Sequence, residues 1–188
     1  MTQPTSPKYK VLTIKKKFLT LICLVVLTLI YQPSRAQVIT KYGDNVSTLD
    51  GIMKAYYDVV TVKKGEKVSY ERDSLLHIAD ARVGSGYIDK QGKQRFNYMT
   101  LKEYHRLSDA SLSRDGFDER EISRKVEKFG SICHVFSTYE SRNIKNGPVI
   151  ERGINSIELF NDGTRFWILA WFFDGERKDN PIPKEYLN

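Results

Sequence analysis

Leu49, Ile52, Met53, Tyr56, Val59 and Val60 recur at intervals of three and four. That spacing places apolar side chains on one face of a helix. Ser47 with Asp50 three residues on reads as a capping box for it, Asp being a weaker partner there than Glu. A shorter helix is expected over 70–78, carrying Leu75, Leu76 and Ile78, followed by a brief strand at Ala81-Arg82-Val83 that Gly84-Ser85-Gly86 cuts. Residues 87–97 read as a loop or hairpin with Gln91-Gly92 near its tip. Thr100 followed by Glu103 is a fuller capping box, opening a helix through Leu101, Tyr104, Leu107, Ser108 and Ser111 that stops near Asp115-Gly116.

Beyond Gly116 the period changes to two. Residues 119–129 alternate, Gly130 marks a turn or bulge, and 131–140 resume the alternation. Two further strands are expected over 149–160 and 164–173, joined by Asn161-Asp162-Gly163, a short hairpin signal. Three helices followed by long antiparallel strands make an α+β fold with the helices on one face of the sheet. The run from Phe166 to Phe173 is apolar at both parities, so the strand it forms should be covered on both faces. Helices cover only the inner face, which predicts a homodimer through the outer one.

The formal charge is +7, from 30 Lys and Arg against 23 Asp and Glu. Its distribution matters more than its size. Lys8, Lys10, Lys15, Lys16, Lys17 and Arg35 stand in the first 36 residues beside no acid, so the rest of the chain is nearly neutral and carries no field for a nucleic acid. The basic head, the apolar run Phe18 to Ile30 and the triplet Ser34-Arg35-Ala36 are the three parts of a secretory signal peptide. Cleavage at Ala36 predicts a secreted or periplasmic domain over 37–188, free of the membrane; an uncleaved anchor is the alternative. Cys133 is then the only thiol, which excludes an internal disulfide. Between Ile132 and Val135 it reads as a small buried apolar residue.

Several runs carry a family resemblance. Phe117-Asp118-Glu119-Arg120-Glu121-Ile122, the segment Phe129 to Glu140, Gly153-Ile154-Asn155-Ser156-Ile157, Asp162-Gly163-Thr164-Arg165-Phe166-Trp167-Ile168 and the tail Pro181-Ile182-Pro183 with Tyr186-Leu187 resemble the nuclear transport factor 2-like superfamily, and in particular its secreted bacterial SnoaL-like members. The resemblance spans nearly all of residues 37–188. It implies a cone-shaped curved antiparallel sheet with the three N-terminal helices packed on its concave face. It does not select one activity, because the superfamily holds isomerases, dehydratases, hydrolases, cyclases and binders. In its steroid isomerases a first-helix Tyr donates to the developing oxyanion and an Asp after the first strand shuttles the proton. Tyr56 or Tyr57 matches the Tyr. Ser85 stands near the position of the Asp, which argues against that chemistry.

His134 shares strand parity with Ile132 and Phe136. If that parity is concave, the imidazole points into the pocket and can act as base or donor; otherwise it is a core histidine satisfied by a neighbouring carbonyl or Tyr. His77 reads as a helix-end residue and His105 as exposed. Glu119-Arg120-Glu121 reads as a solvated edge. Trp167, Trp171 and Phe173 share one parity and Phe166, Ile168 and Phe172 the other, and the pattern does not say which faces inward. His134, Tyr56 and Tyr57 are therefore the catalytic candidates. Tyr56, Tyr57, His134, Phe136, Trp167 and Trp171 are the candidate ligand contacts. The three histidines are far apart in sequence and predict no metal site, and no cofactor motif is present. The expected function is a small-molecule-binding domain for an apolar or aromatic ligand, the alternative being a cofactor-independent proton-transfer isomerase, dehydratase or hydrolase built on His134 and a first-helix Tyr.

Overall fold

The computed structural model describes residues 46–187; the leader expected over 1–36 lies outside the described residues. Helix α1 (Leu49–Val60) is capped one residue later than expected, by Thr48, whose hydroxyl accepts from Gly51 N–H at 3.1 Å. It buries Ile52, Met53, Tyr56, Val59 and Val60 along the face that the spacing marks. Helix α2 (Tyr70–Ser74) is shorter than the expected 70–78. The chain leaves it for the sheet: Leu76 C=O accepts from Ile168 N–H at 2.9 Å, and His77 pairs with Ile168.

Strand β1 (His77–Ile88) then continues through Gly84-Ser85-Gly86 to a hairpin with β2 (Gln94–Thr100). Gly84 does not break the strand. It makes room on the outer face, where a Cβ would lie 2.2 Å from the Phe96 ring and 2.6 Å from that of Phe172. Helix α3 (Leu101–Asp115) opens with the expected capping box: Glu103 N–H donates to the Thr100 hydroxyl at 3.2 Å, and Thr100 N–H to the Glu103 carboxylate at 2.8 Å.

Four long strands follow: β3 (Asp118–Phe129), β4 (Ile132–Arg142), β5 (Glu151–Asn161) and β6 (Phe166–Gly175). Gly130, with φ +57°, turns β3 into β4. Between β5 and β6 the Asp162 carboxylate accepts from the N–H groups of Thr164 and Arg165. The sheet order is β2-β1-β6-β5-β4-β3. All neighbours are antiparallel except β1 and β6, which run parallel, so the expected antiparallel sheet is in fact mixed. A parallel pair needs a long crossover, and everything from β2 to β5 supplies it.

One irregularity decides which aromatic residues face the helices. The β5–β6 register shifts between Glu158 and Leu159, with Leu169 the extra residue on β6. Phe166 and Ile168 before the bulge therefore lie on the same face as Trp171 and Phe173 after it. Phe166, Ile168 and Trp171 are buried there. Trp167 and Phe172 face outward. Phe172 is covered in part by its own chain, with the Phe96 ring 5.7 Å and the Tyr98 ring 6.2 Å away. The C-terminal segment also crosses the outer face and ends in a 3-10 turn at Lys184–Tyr186. The Thr138 hydroxyl donates to Tyr186 C=O at 2.6 Å, and the rings of Phe136 and Tyr186 are 5.0 Å apart. No helix among the described residues is long and apolar enough to cross a membrane.

Candidate functional site

The inner faces of β3–β6 and the three helices enclose a cavity of about 230 Å³. Tyr56 and Val60 reach it from α1, Asp73 from α2, and Tyr104 and Ser108 from α3. The sheet supplies Glu119, Tyr139, Ser141, Glu151, Asn155, Trp171 and Phe173, with Phe117 at the rim. Tyr56 and Tyr104 meet Trp171 edge to face, with centroids 5.9 and 5.5 Å away. Gly153 leaves room for Tyr139 in the same wall, since a Cβ there would come within 2.5 Å of the Tyr139 hydroxyl and of Asp174 C=O.

Glu119 is the most perturbed acid in the cavity. Burial pushes its carboxyl up to about 8, against a hydrogen bond from Asn155 that favours the ionised form, and nearby Glu151 adds to the rise. At neutral pH it is mostly protonated and can donate. Burial also raises the Tyr56, Tyr57, Tyr104 and Tyr139 hydroxyls well above the ordinary tyrosine value, and Glu119 adds to each rise. These hydroxyls stay neutral donors. Beside the cavity runs a directed chain of hydrogen bonds. Ser137 gives its one proton to Glu121 at 2.6 Å, so Tyr57 must donate to Ser137, at 2.7 Å, and the Tyr57 oxygen accepts from the Asn155 amide at 3.3 Å.

Asp73 anchors a second polar group. Its Oδ2 accepts from His105 Nε2 at 2.9 Å, while His105 Nδ1 donates to Asp109 at 2.9 Å. With a carboxylate on each ring nitrogen, His105 is bound as imidazolium. Burial depresses its pKa, but the bonds to Asp73 and Asp109 outweigh burial, and the net direction is upward. His77 behaves in the opposite way. Burial lowers it, and the neutral ring donates from Nδ1 to Asp73 C=O at 2.8 Å. Among the described residues no group of three or more His, Cys, Asp or Glu is placed to hold a metal ion.

Several expected site residues lie elsewhere. Tyr56 and Trp171 do line the cavity, and Tyr57 adjoins it. His134 and Phe136 are on the opposite face of the sheet, because β4 sends Val135, Ser137 and Tyr139 inward and its alternate residues outward. His134 Nε2 is 2.9 Å from the Ser156 hydroxyl, with Glu127 and Glu158 at 3.8 and 4.0 Å and 29% of its side chain exposed. The expected placement of His134 across from Tyr56 or Tyr57 is thus corrected. Trp167, displaced by the bulge, donates to Asp162 at 2.8 Å under a stacked Arg165 guanidinium 3.7 Å away. His105 is buried, 5% exposed, rather than on the surface, and His77 is an inward strand residue rather than a helix end. Glu119, expected on a solvated edge, is the cavity acid. Cys133 is buried, as its apolar neighbours suggest, and burial pushes its thiol up. A larger depression of about 510 Å³ lies on the outer face around Phe96, Phe172 and Ile182. It is open to solvent and lacks the buried polar groups of the inner cavity.

No family model matches the chain, nor does any curated protein. Solved structures do resemble it. The protein assigned as the beta subunit of an aromatic-ring-hydroxylating dioxygenase from Novosphingobium aromaticivorans DSM 12444 superposes with a TM-score of 0.52 at 11% identity, over 74% of this chain and 92% of its own. An NTF2-like protein of unknown function from Methylobacillus flagellatus KT gives 0.46 at 18% identity, over 69% and 92%. Another from Silicibacter pomeroyi DSS-3 gives 0.46 at 12%, over 66% and 90%. At such identities the likeness is one of architecture. The chain has an α+β fold with a curved six-stranded mixed sheet, an architecture it shares with the dioxygenase subunit.

Proposed function

We propose that the domain is an exported small-molecule-binding module whose ligand occupies the cavity between the helices and the inner sheet face. The observation that carries this reading is the cavity itself, lined by Tyr56, Tyr104, Tyr139, Trp171 and Phe173 with a few convergent polar groups. Aromatic walls with sparse, fixed polar contacts are what a ligand site needs. At about 230 Å³ it is smaller than the roughly 300–1,000 Å³ of sites for drug-sized ligands, which points to a compact ligand. Native mass spectrometry of the purified protein tests this. A small copurified mass, lost in a Ser108→Phe variant that fills the cavity, is the expected result; a ligand-free spectrum identical for both proteins would reject it. Export rests on the basic head, apolar run and small-residue site of the first 36 residues. N-terminal sequencing of exported protein should begin at or near Gln37.

A second reading, proton-transfer catalysis, is supported by Glu119. A carboxyl raised to about 8 in an enclosed site suits a general acid or base near neutral pH. This moves the enzymatic alternative away from His134. The same mass spectra separate the two, since a binder returns its ligand unchanged while an enzyme returns a converted mass that Glu119→Gln abolishes.

For assembly, a second copy on the outer sheet face remains the proposal. Phe96 and Tyr98 at the β2 edge and Phe129 and Ile132 at the β3–β4 edge are exposed, apolar residues on both sides of the outer face that a second copy would cover. Light scattering at micromolar concentration should give the dimer mass, and Tyr98→Glu should halve it.

A further inference from the structure

We propose that Glu121, outside the cavity, is a positioning residue for its wall: through Ser137 and Tyr57 it fixes which end of the Asn155 amide is turned toward Tyr57. This rests on the cavity being the site, as read above, but it concerns the free protein and its test needs no ligand. Glu121 stands on β3, paired with Tyr139 where the register shifts before Ser123. Its side chain is 19% exposed and lies 3.1 Å from Arg124 Nε, and Arg124 in turn reaches Asp50 of α1 at 2.8 Å. Ser137 and Asn155 are cross-strand partners on β4 and β5, both buried, and the Tyr57 hydroxyl of α1 bonds to each. Of these four residues only Asn155 lines the cavity.

Counting protons along this path gives its direction. At neutral pH the Glu121 carboxylate, paired with Arg124, has no proton to give, so the Ser137 hydroxyl donates to it at 2.6 Å. A hydroxyl has one proton, and Ser137 can then only accept from Tyr57, at 2.7 Å. Tyr57 has spent its own proton in turn, and its oxygen can only accept. Of the two ends of the Asn155 amide, the nitrogen alone supplies a proton, and Nδ2 is the atom found 3.3 Å from the Tyr57 hydroxyl. The shape of Asn155 does not make this choice, because an amide turned over fills the same space. Turned over, it would set Oδ1 against a phenol oxygen with no proton between them, a costly contact where both are buried.

The orientation of this amide reaches the cavity acid. Asn155 also donates to Glu119, so the Glu119 oxygen that accepts from it is the carbonyl one and the proton sits on the other. The remaining groups around Glu119 are Tyr56 and Tyr57 of α1, Tyr104 of α3, Tyr139 of β4 and Glu151 of β5, with Asp73 of α2 in the same wall. None of them is a cation, and the tyrosine hydroxyls can turn, so the amide is the group of fixed polarity. A carboxylate at the partly wet end of the chain thus decides where the buried carboxyl carries its proton. With the chain cut, Tyr57 is free to donate to Asn155 Oδ1. The amide then turns over, Oδ1 accepts the Glu119 proton, and the neutral acid is favoured further.

Nuclear magnetic resonance tests this in two ways. In the native protein at pH 7 the side-chain amide protons of Asn155 should show Overhauser contacts to the Tyr57 ring; an amide turned the other way would overturn the proposal without any variant. The second measurement is the carboxyl-carbon titration of Glu119. Ser137→Ala leaves every charge in place but cuts the chain, and should raise the Glu119 midpoint by about half a pH unit or more. Glu121→Leu should raise it as well, whereas the loss of a neighbouring negative charge by itself would lower it. Ser137→Thr, which keeps the hydroxyl, should return the native midpoint. Melting temperatures check that each variant is folded. A midpoint unchanged or lowered in either folded variant, Ser137→Ala or Glu121→Leu, would overturn the role of Glu121 and leave the ligand-binding reading to the mass spectra.

Discussion

On the inner face of the sheet, Glu119 of β3 and Tyr139 of β4 are closed in by α1 and α3. One residue along the same strands, Arg120 and Glu140 pair at the rim, and farther along β4 His134 and Phe136 face outward. The two faces draw on the same residue types with different results. A glutamate inside has its carboxyl raised to about 8, while Glu127 outside stands mostly in water 3.8 Å from His134. An imidazole inside, that of His105, is held by two carboxylates; His134 outside has a serine partner and solvent. Burial, rather than residue identity, makes the inner groups chemically distinctive, because desolvation changes the cost of charge by several kcal/mol.

The strongest way to break the contrast is to cut one charge from each face. Asp73→Ala removes a buried partner of His105 and should cost about 3–5 kcal/mol of unfolding free energy. The matching outer change, Glu127→Ala, should stay within about 0.5 kcal/mol, both read by urea denaturation.

The pH dependence sharpens the same comparison. Glu119 keeps its proton in the folded state up to about 8, whereas the unfolded chain loses it near the ordinary value of 4.5. Its contribution is thus fully present below that value and lost as pH rises toward about 8. Against Glu119→Gln, the native protein should lose stability at up to about 1.4 kcal/mol per pH unit across this window. His105, raised in the fold, acts in the same direction: its contribution is complete below the unfolded histidine pKa and fades as pH climbs through its folded one. His77, lowered by burial, opposes both, since its contribution is lost as pH falls below the unfolded histidine value. Paired melts of native protein and Glu119→Gln from pH 5 to 8 isolate the Glu119 component. Curves that stay parallel would return the Glu119 carboxyl to its ordinary range.

Gly153→Ala asks a steric question of the inner face. The new methyl meets the Tyr139 hydroxyl and Asp174 C=O at 2.5 Å, and should cost about 1–3 kcal/mol. It should also displace Tyr139 from Glu151, a bond of 2.9 Å, and reduce ligand uptake in the same preparation. The smallest effect is expected at His134. His134→Ala should cost less than about 1 kcal/mol and leave cavity binding unchanged, because its one close side-chain partner, Ser156, can turn to water. Lost binding in this variant would return His134 to the site.

Where sequence reading succeeded, the determinants are local. The Thr100–Glu103 box, the apolar face of α1, the glycine turn at Gly130 and the Asn161-Asp162-Gly163 turn each depend on a few neighbouring residues. Tyr56 was legible as a cavity-lining residue through the family resemblance, whereas the aromatic strand offered Trp167 and Trp171 alike and only the bulge separates them. His105 was not legible. Its burial depends on Asp73, on a different helix 32 residues earlier, and an isolated helix with Tyr104 and Arg106 beside the His looks exposed. Glu119 was misread for a related reason: an acid flanked by Arg120 and Glu121 looks like a wet strand edge until the helices close over it.

The α+β class, α1, α3, the four long strands and the turns between them follow from periodicity and capping, which act over a few bonds, whereas the end of the 70–78 segment leaves its expected helix to pair in the sheet. The sequence alone could not say which face of the sheet is inner. Strand side chains alternate strictly, so a one-residue bulge at Leu169 is enough to separate Trp167 from Trp171, and the phase of β4 alone excludes His134 from the cavity. The chemistry of Glu119 and His105 was decided only when α1, α2 and α3 closed over that face, because their charge states depend on surroundings that no single segment creates.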